Sequence, residues 1–143
     1  MTPIDRILAM EEIKAVKARY FRHLDTKHWA EFGKVFTADA TLEVAPREGD
    51  PGRKETGAPQ ILAWVSSALA DAITVHHGHM PEIEILSPDR ASAIWAMDDI
   101  VIWKDRALHG WGHYHETYRR EVDGWRIASS RLTRLRVKIR SRD

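Results

Sequence analysis

The chain has 143 residues, and its 22 Lys and Arg residues nearly balance its 21 Asp and Glu residues, for a net charge of +1. Hydrophobic residues make up 43% of the chain and charged residues 30%, a composition typical of one globular domain and unlike that of a disordered or membrane-embedded chain. The absence of cysteine excludes disulfide bonds, a thiolate nucleophile and a thiolate metal site, and it favours a cytoplasmic location.

The first half of the chain is predicted to be mainly helical. The first helix is indicated by apolar residues at helical spacing: Ile4, Ile7, Leu8, Ile13, Val16, Tyr20 and Leu24. A second, short helix is expected to begin at Asp25 or Thr26. Residues 40–44 predict a strand, and residues 45–59 predict a loop because they are rich in Gly, Pro and charge. A third helix is expected over residues 59–72.

Four long strands are predicted to follow, over residues 75–86, 91–103, 108–121 and 125–137. Short turns join them, and Asp-Gly between the last two is a strong hairpin signal. Consecutive strands joined in this way form an antiparallel sheet, and strands of such length suit a sheet that curves strongly around the helices. The predicted fold class is α+β, in a single domain over residues 1–143.

The end of the chain is strongly basic. Cationic residues from Arg131 onward alternate with apolar ones, which suits the exposed side of a final strand, and residues 138–143 are expected to form a frayed basic tail. A nucleic-acid patch is the alternative interpretation. The near-neutral net charge disfavours it, so no nucleic-acid partner is expected.

Three histidines lie close together at the start of the first long strand. In a regular strand His77 and His79 share one face, and His76 points to the other. His113 and His115 form a similar pair on a later strand. Two such pairs could in principle bind a metal, but the outer face of a curved sheet spreads its side chains apart. We therefore expect no metal site and no cofactor.

Three segments carry a resemblance to a known family. They are "RYFRHLDTKHWAEFGKVFTADATLEV", "VHHGHMPEIEI" and "GHYHETYRREVDGWRIASSRLTRL". With this order of elements, the chain resembles the nuclear transport factor 2-like superfamily and, within it, the SnoaL-like group. The resemblance implies a cone-shaped α+β barrel, with three N-terminal helices packed in a strongly curved, mixed and mainly antiparallel sheet. It also implies an apolar pocket and a homodimer formed through the outer face of the sheet.

The resemblance also implies a set of catalytic residues. Within the superfamily, the chain is most similar to bile-acid dehydratases and scytalone dehydratase, which pair an aspartate after the first helix with a histidine after the third. These positions are Asp25 and His76. The bile-acid enzymes add a tyrosine and a second aspartate, which fall on Tyr20 and Asp99. The match to scytalone dehydratase is partial.

The chemistry of these residue types is consistent with such roles. Histidine can take up and return a proton near neutral pH, and a carboxylate can hold its ring in one tautomer. Asp25 could instead cap the second helix. Asp98 and Asp99 lie on opposite faces of one strand; the spacing from His76 favours Asp99, with Asp98 as the alternative.

Further residues are expected to line the pocket. They are Trp64, Trp95, Met97 and Tyr114. Either Arg131 or Arg134 could face inward and contact a ligand, and strand parity favours Arg131 unless a bulge intervenes.

Two kinds of function follow from the sequence. The first is a cofactor-free lyase (dehydratase) or an isomerase or cyclase that acts on a small cyclic oxygenated substrate by His/Asp general acid–base chemistry. The alternative is a non-catalytic small-molecule-binding or dimerisation module of the same fold.

Overall fold

The computed structural model describes residues 1–142 and begins with one long helix, α1 (Pro3–Asp25). A capping box fixes its start: the Thr2 side chain accepts the backbone N–H of Asp5, and the Asp5 carboxylate accepts that of Thr2. The apolar stripe is buried only from Ala9 onward. The first members of the predicted stripe are exposed: Ile4, Ile7 and Leu8.

Two shorter helices follow, α2 (Trp29–Gly33) and α3 (Ala58–Leu69). The predicted start of the second helix at Asp25 or Thr26 was wrong, because α1 continues through Asp25. Lys27 then takes a left-handed conformation, with φ of 61°, that separates the two helices. The third helix lies close to its predicted range.

A six-stranded mixed sheet makes up the rest of the fold. Its strands are β1 (Phe36–Val44), β2 (Arg53–Thr56), β3 (Ile73–Ser87), β4 (Arg90–Ile102), β5 (Arg106–Glu121) and β6 (Gly124–Ser141). Their order across the sheet is β2-β1-β6-β5-β4-β3, and only the β1–β6 pair is parallel. The predicted α+β class and mixed sheet are confirmed. The sheet does not close into a barrel, since β2 and β3 form its two edges.

Parts of two segments that were predicted to be irregular are ordered strands instead. Within the predicted loop over 45–59, β2 pairs with β1. The frayed tail predicted over 138–143 was wrong for residues 138–141, which extend β6 and pair with the start of β5. In both places the backbone finds a hydrogen-bonding neighbour that local composition does not reveal; Asp143 lies outside the described residues.

The helices pack on the inner face of the sheet, around a core of apolar side chains. One ion pair is buried within this core. Lys17 of α1 and Glu116 of β5 are both fully buried, and Lys17 Nζ lies 2.8 Å from Glu116 Oε2. Tyr118 and Ser130 also donate hydrogen bonds to the Glu116 carboxylate. This pairing offsets the large penalty for removing two charges from water.

Replacing Lys17 by Met is expected to destabilise the protein by about 3–5 kcal/mol, because it leaves the Glu116 carboxylate buried without its counter-ion. The free energy of unfolding in urea measures the change. Lys14→Met is the matched control, since Lys14 pairs with Glu11 on the exposed side of the same helix and such pairs contribute about 1 kcal/mol or less. Equal destabilisation by both variants would contradict the prediction.

Candidate functional site

A cavity of about 200 Å³ lies between the helices and the inner face of the sheet. Its walls are mainly apolar and include Leu24, Leu42, Val44, Trp64, Leu69, Val101, Trp103, Leu108 and Leu132. A smaller set of polar residues lines the same space: Tyr20, Glu43, His76, Asp99, Tyr114 and Arg134. An apolar cavity with a few convergent polar groups is the usual form of a small-molecule site.

Asp25 and His76 form a hydrogen-bonded pair at the wall of this cavity. Asp25 is the last residue of α1, and its Oδ1 lies 2.7 Å from His76 Nδ1. The backbone N–H of His76 donates to Oδ2 at 2.9 Å, and Thr74 Oγ1 donates to Oδ1 at 2.9 Å. Asp25 does not cap α2, whose N-cap residue His28 makes no side-chain capping bond.

These contacts favour the ionised form of Asp25 and one tautomer of the His76 ring. Partial burial acts to raise the pKa of Asp25, but hydrogen bonds from His76 and Thr74 outweigh it and hold the pKa below its ordinary value. An ionised carboxylate only accepts hydrogen bonds, so the proton of the neutral imidazole is assigned to Nδ1. His76 Nε2 is thereby left able to accept a proton.

Asp99, and not Asp98, is on the inner face of β4. Asp99 is 3% exposed, and Arg134 of β6 donates two hydrogen bonds to its carboxylate, at 2.6 and 3.0 Å. Its Oδ2 lies 3.9 Å from His76 Nε2, which is beyond hydrogen-bonding distance. Asp99 is therefore next to His76 but is bound to the arginine.

The other histidines of the first long strand face away from the cavity, as strand parity predicts. His77 and His79 are more than half exposed. On this outer face His79 Nε2 lies 2.9 Å from Asp98 Oδ1, while His77 Nδ1 lies 3.7 Å from it and His109 Nε2 lies 3.6 Å from Oδ2. Among residues 1–142, no three such groups are arranged to hold a metal ion.

Two tyrosines line the same cavity as His76. Tyr20 and Tyr114 meet edge to face, with ring centroids 6.0 Å apart. Burial is the main cause that raises the pKa of each phenol above its ordinary value. Both hydroxyls therefore keep their protons at neutral pH. A side-chain hydrogen bond from Tyr114 acts against the effect of burial on the pKa of Tyr20, so the Tyr20 hydroxyl is the donor left for a ligand.

The predicted pocket-lining residues divide into two groups. Trp64 and Tyr114 line the cavity. Trp95 and Met97 are buried on the inner face of β4 but do not line it, because Trp95 donates its indole N–H to Tyr118 and Met97 packs beside Arg134. A contact of these two residues with a substrate remains a prediction.

The structure places Arg134, and not Arg131, on the inner face of β6, the reverse of what strand parity favours. Between β5 and β6 the register shifts after Thr117, which pairs with Ser129, whereas Tyr118 pairs with Ile127. The extra residue in β6 reverses which side chains face inward. Arg134 consequently enters the cavity, and Arg131 points outward, 3.5 Å from Glu43.

The sequence interpretation also missed Thr74. This residue lies two positions before His76 on an edge strand, so both side chains share the inner face. A threonine hydroxyl on the same face as an expected catalytic histidine is the one signal that could have identified it. Thr74 also accepts a hydrogen bond from Lys27 Nζ at 2.9 Å.

Asp25→Asn is expected to destabilise the protein in a pH-dependent manner. Because the folded-state pKa of Asp25 lies below its ordinary value of 3.8, its ionised form stabilises the fold above that value, and this stabilisation is lost as the pH falls through the folded-state pKa. The difference in unfolding free energy between wild type and variant should be constant well above pH 3.8 and shrink as the pH falls below that value. Urea unfolding at each pH measures it, with the exposed Asp71→Asn as the control. A difference that does not change with pH would contradict the expectation.

Comparisons with known proteins agree with this fold. The model of the SnoaL-like domain family matches residues 5–131. A relative from Gibberella zeae named "Probable cyclase FGR4" is 30% identical over 139 residues, covering 90% of this chain and 93% of its own.

Solved structures show the same architecture. A scytalone dehydratase-like protein of Novosphingobium aromaticivorans has a TM-score of 0.86 at 18% identity, over 96% of this chain and 91% of its own. The hexachlorocyclohexane dehydrochlorinase LinA-type3 of Novosphingobium barchaimii has a TM-score of 0.81 at 16% identity, over 97% of this chain and 94% of its own. At these identities the structures establish only the common fold. The family match and the full-length relative together show that the chain belongs to the SnoaL-like domain family.

Proposed function

We propose that the protein is a cofactor-free lyase or isomerase that acts on a small cyclic oxygenated substrate by proton transfer at His76. The observation that carries this proposal is the 2.7 Å contact between His76 Nδ1 and the Asp25 carboxylate at the wall of an apolar cavity. A histidine held in this way is suited to general acid–base catalysis. Membership of the SnoaL-like family supports it.

The proton transfer has a simple course. His76 Nε2 takes a proton from the carbon beside a substrate carbonyl, and the electron pair of that C–H bond forms an enolate. The Asp25 carboxylate stabilises the resulting imidazolium, while Tyr20 donates a hydrogen bond to the enolate oxygen. In an elimination the enolate re-forms the carbonyl, a C=C bond forms, and the leaving hydroxyl takes the proton from His76 and departs as water.

The same intermediate also permits isomerisation. If the proton returns from His76 to a different carbon of the enolate system, the double bond moves and no group is lost. Dehydratase and dehydrochlorinase, the activities in the names of two structural neighbours, both denote loss of a proton and a leaving group from one molecule. They support elimination as the reaction of this chain.

The volume of the cavity restricts the size of the substrate. A dry cavity of about 150 Å³ in another protein accommodates benzene, so a cavity of about 200 Å³ matches one substituted ring or a small fused pair. A steroid nucleus, with its four fused rings, exceeds this volume.

The non-catalytic alternative is favoured by one observation, the predominantly apolar lining of the cavity. A binding module would need such walls but no base.

The predicted homodimer remains a prediction that sedimentation equilibrium would test.

His76→Ala is expected to slow proton abstraction by about 10²- to 10⁴-fold, the usual contribution of a positioned general base. The exchange of the α-protons of 2-indanone for deuterium in D₂O, followed by NMR, measures abstraction without requiring the natural substrate. His79→Ala is the matched control, because this histidine lies on the outer face of the same strand. Catalysed exchange that is equally fast in both variants would reject His76 as the base and favour the binding module.

A further inference from the structure

Arg134 carries the one permanent positive charge among the described residues that line the cavity. A free guanidinium at this position would bind a carboxylate ligand strongly, since planar, two-point hydrogen bonding suits that group. The charge of Arg134 therefore decides whether the site selects anionic or uncharged molecules.

This guanidinium is already occupied by a carboxylate of the protein. Arg134 Nη1 and Nη2 donate separately to Asp99 Oδ1 and Oδ2, at 2.6 and 3.0 Å. The side chains of Arg134 and Asp99 are 12% and 5% exposed, so water screens the pair poorly. A ligand carboxylate would have to displace Asp99, which would then remain buried without its partner.

The strand order of the sheet brings Asp99 and Arg134 together. Asp99 is on β4 and Arg134 is on β6, and the strand between them passes beneath the ion pair at Gly110, which lies opposite Asp99 in the register. A Cβ atom at position 110 would collide with both Arg134 Nη1 and Asp99 Oδ1. The contact between the two side chains thus depends on a strand position without a side chain.

The remaining charged groups near the cavity are negative or ion-paired, except Lys27, whose Nζ donates to Thr74 Oγ1 and which is not among the lining residues. Asp25 stands behind His76 and is ionised, and Glu43 lies 3.5 Å from Arg131 on the outer side. With the Arg134 charge matched by Asp99, no unpaired cation remains among the described residues that line the cavity, and the Asp25 charge would repel an anionic ligand. His76, Tyr20 and Tyr114 remain as polar groups for a hydroxyl or a carbonyl.

We propose that Asp99 neutralises Arg134 and that the site consequently selects uncharged oxygen-bearing rings and rejects rings that carry a carboxylate. The inference names the substrate class of the function proposed above and rests on it. Asp99 acts here as a specificity-determining residue that operates through Arg134.

The test compares the binding of benzamide and benzoate, two ligands of the same shape that differ in charge. Wild type should bind benzamide at least about tenfold more tightly than benzoate at neutral pH. In Asp99→Asn the affinity for benzoate should rise by about tenfold or more, because a charge-assisted hydrogen bond of that strength becomes available. Affinity for benzamide should change little. Titrations followed by tryptophan fluorescence, with NMR as a second readout, give both dissociation constants.

Two further variants make the result specific. Asp98→Asn removes the same charge from the neighbouring residue on the outer face, where the side chain is 26% exposed, and should keep the wild-type preference. Adding Arg134→Gln to Asp99→Asn should abolish the gain in benzoate affinity. Thermal unfolding verifies that each variant is folded. If Asp99→Asn does not fold, the preference of the wild type for benzamide over benzoate alone tests the inference.

Equal binding of benzoate and benzamide by wild type would overturn the inference, and so would a preference that Asp99→Asn leaves unchanged. Neither outcome depends on turnover. Selective binding without deuterium exchange would mean that the cavity is a binding site for uncharged rings, which removes only the catalytic proposal. Exchange without selective binding would remove only the role of Asp99.

Discussion

The pairing of buried charges is the constraint on which the rest of this structure depends. A charge removed from water needs a partner, and two charged groups of α1 find theirs on the sheet. Lys17 binds Glu116 on β5, and Asp25 binds His76 on β3. The two attachment points are eight residues apart, or about 12 Å along the helix. They fix both the rotation and the axial position of α1, and thereby the place of the cavity.

Much of this arrangement could be predicted from local patterns. The period of two in the strands separates His76 from His77 and His79, and Asp99 from Asp98, and the structure has the same division of faces. The pairing of Asp25 with His76 came from the resemblance to known dehydratases. Residue chemistry alone left helix capping as an equal explanation for Asp25, because a carboxylate at the end of a helix has the same sequence signature in both cases.

Other features depend on contacts that no local pattern reveals. One additional residue in β6, near the pairing of Thr117 with Ser129, exchanges the faces of Arg131 and Arg134. The strand β2 exists because β1 offers a free edge to a segment that its composition marks as a loop. Lys17 carried a weak signal, since its charge interrupts an apolar helix face, but its partner Glu116 is 99 residues away.

The glycine beneath the ion pair has a consequence for how this sequence can change over evolutionary time. A Cβ atom at position 110 would overlap Arg134 Nη1 and Asp99 Oδ1, so any side chain there forces the two groups of the ion pair to shift. The three positions, on three adjacent strands, are therefore expected to change together. A lineage that loses the contact is released from this constraint on position 110, and a larger residue acquired there would then hinder a return to the ion pair.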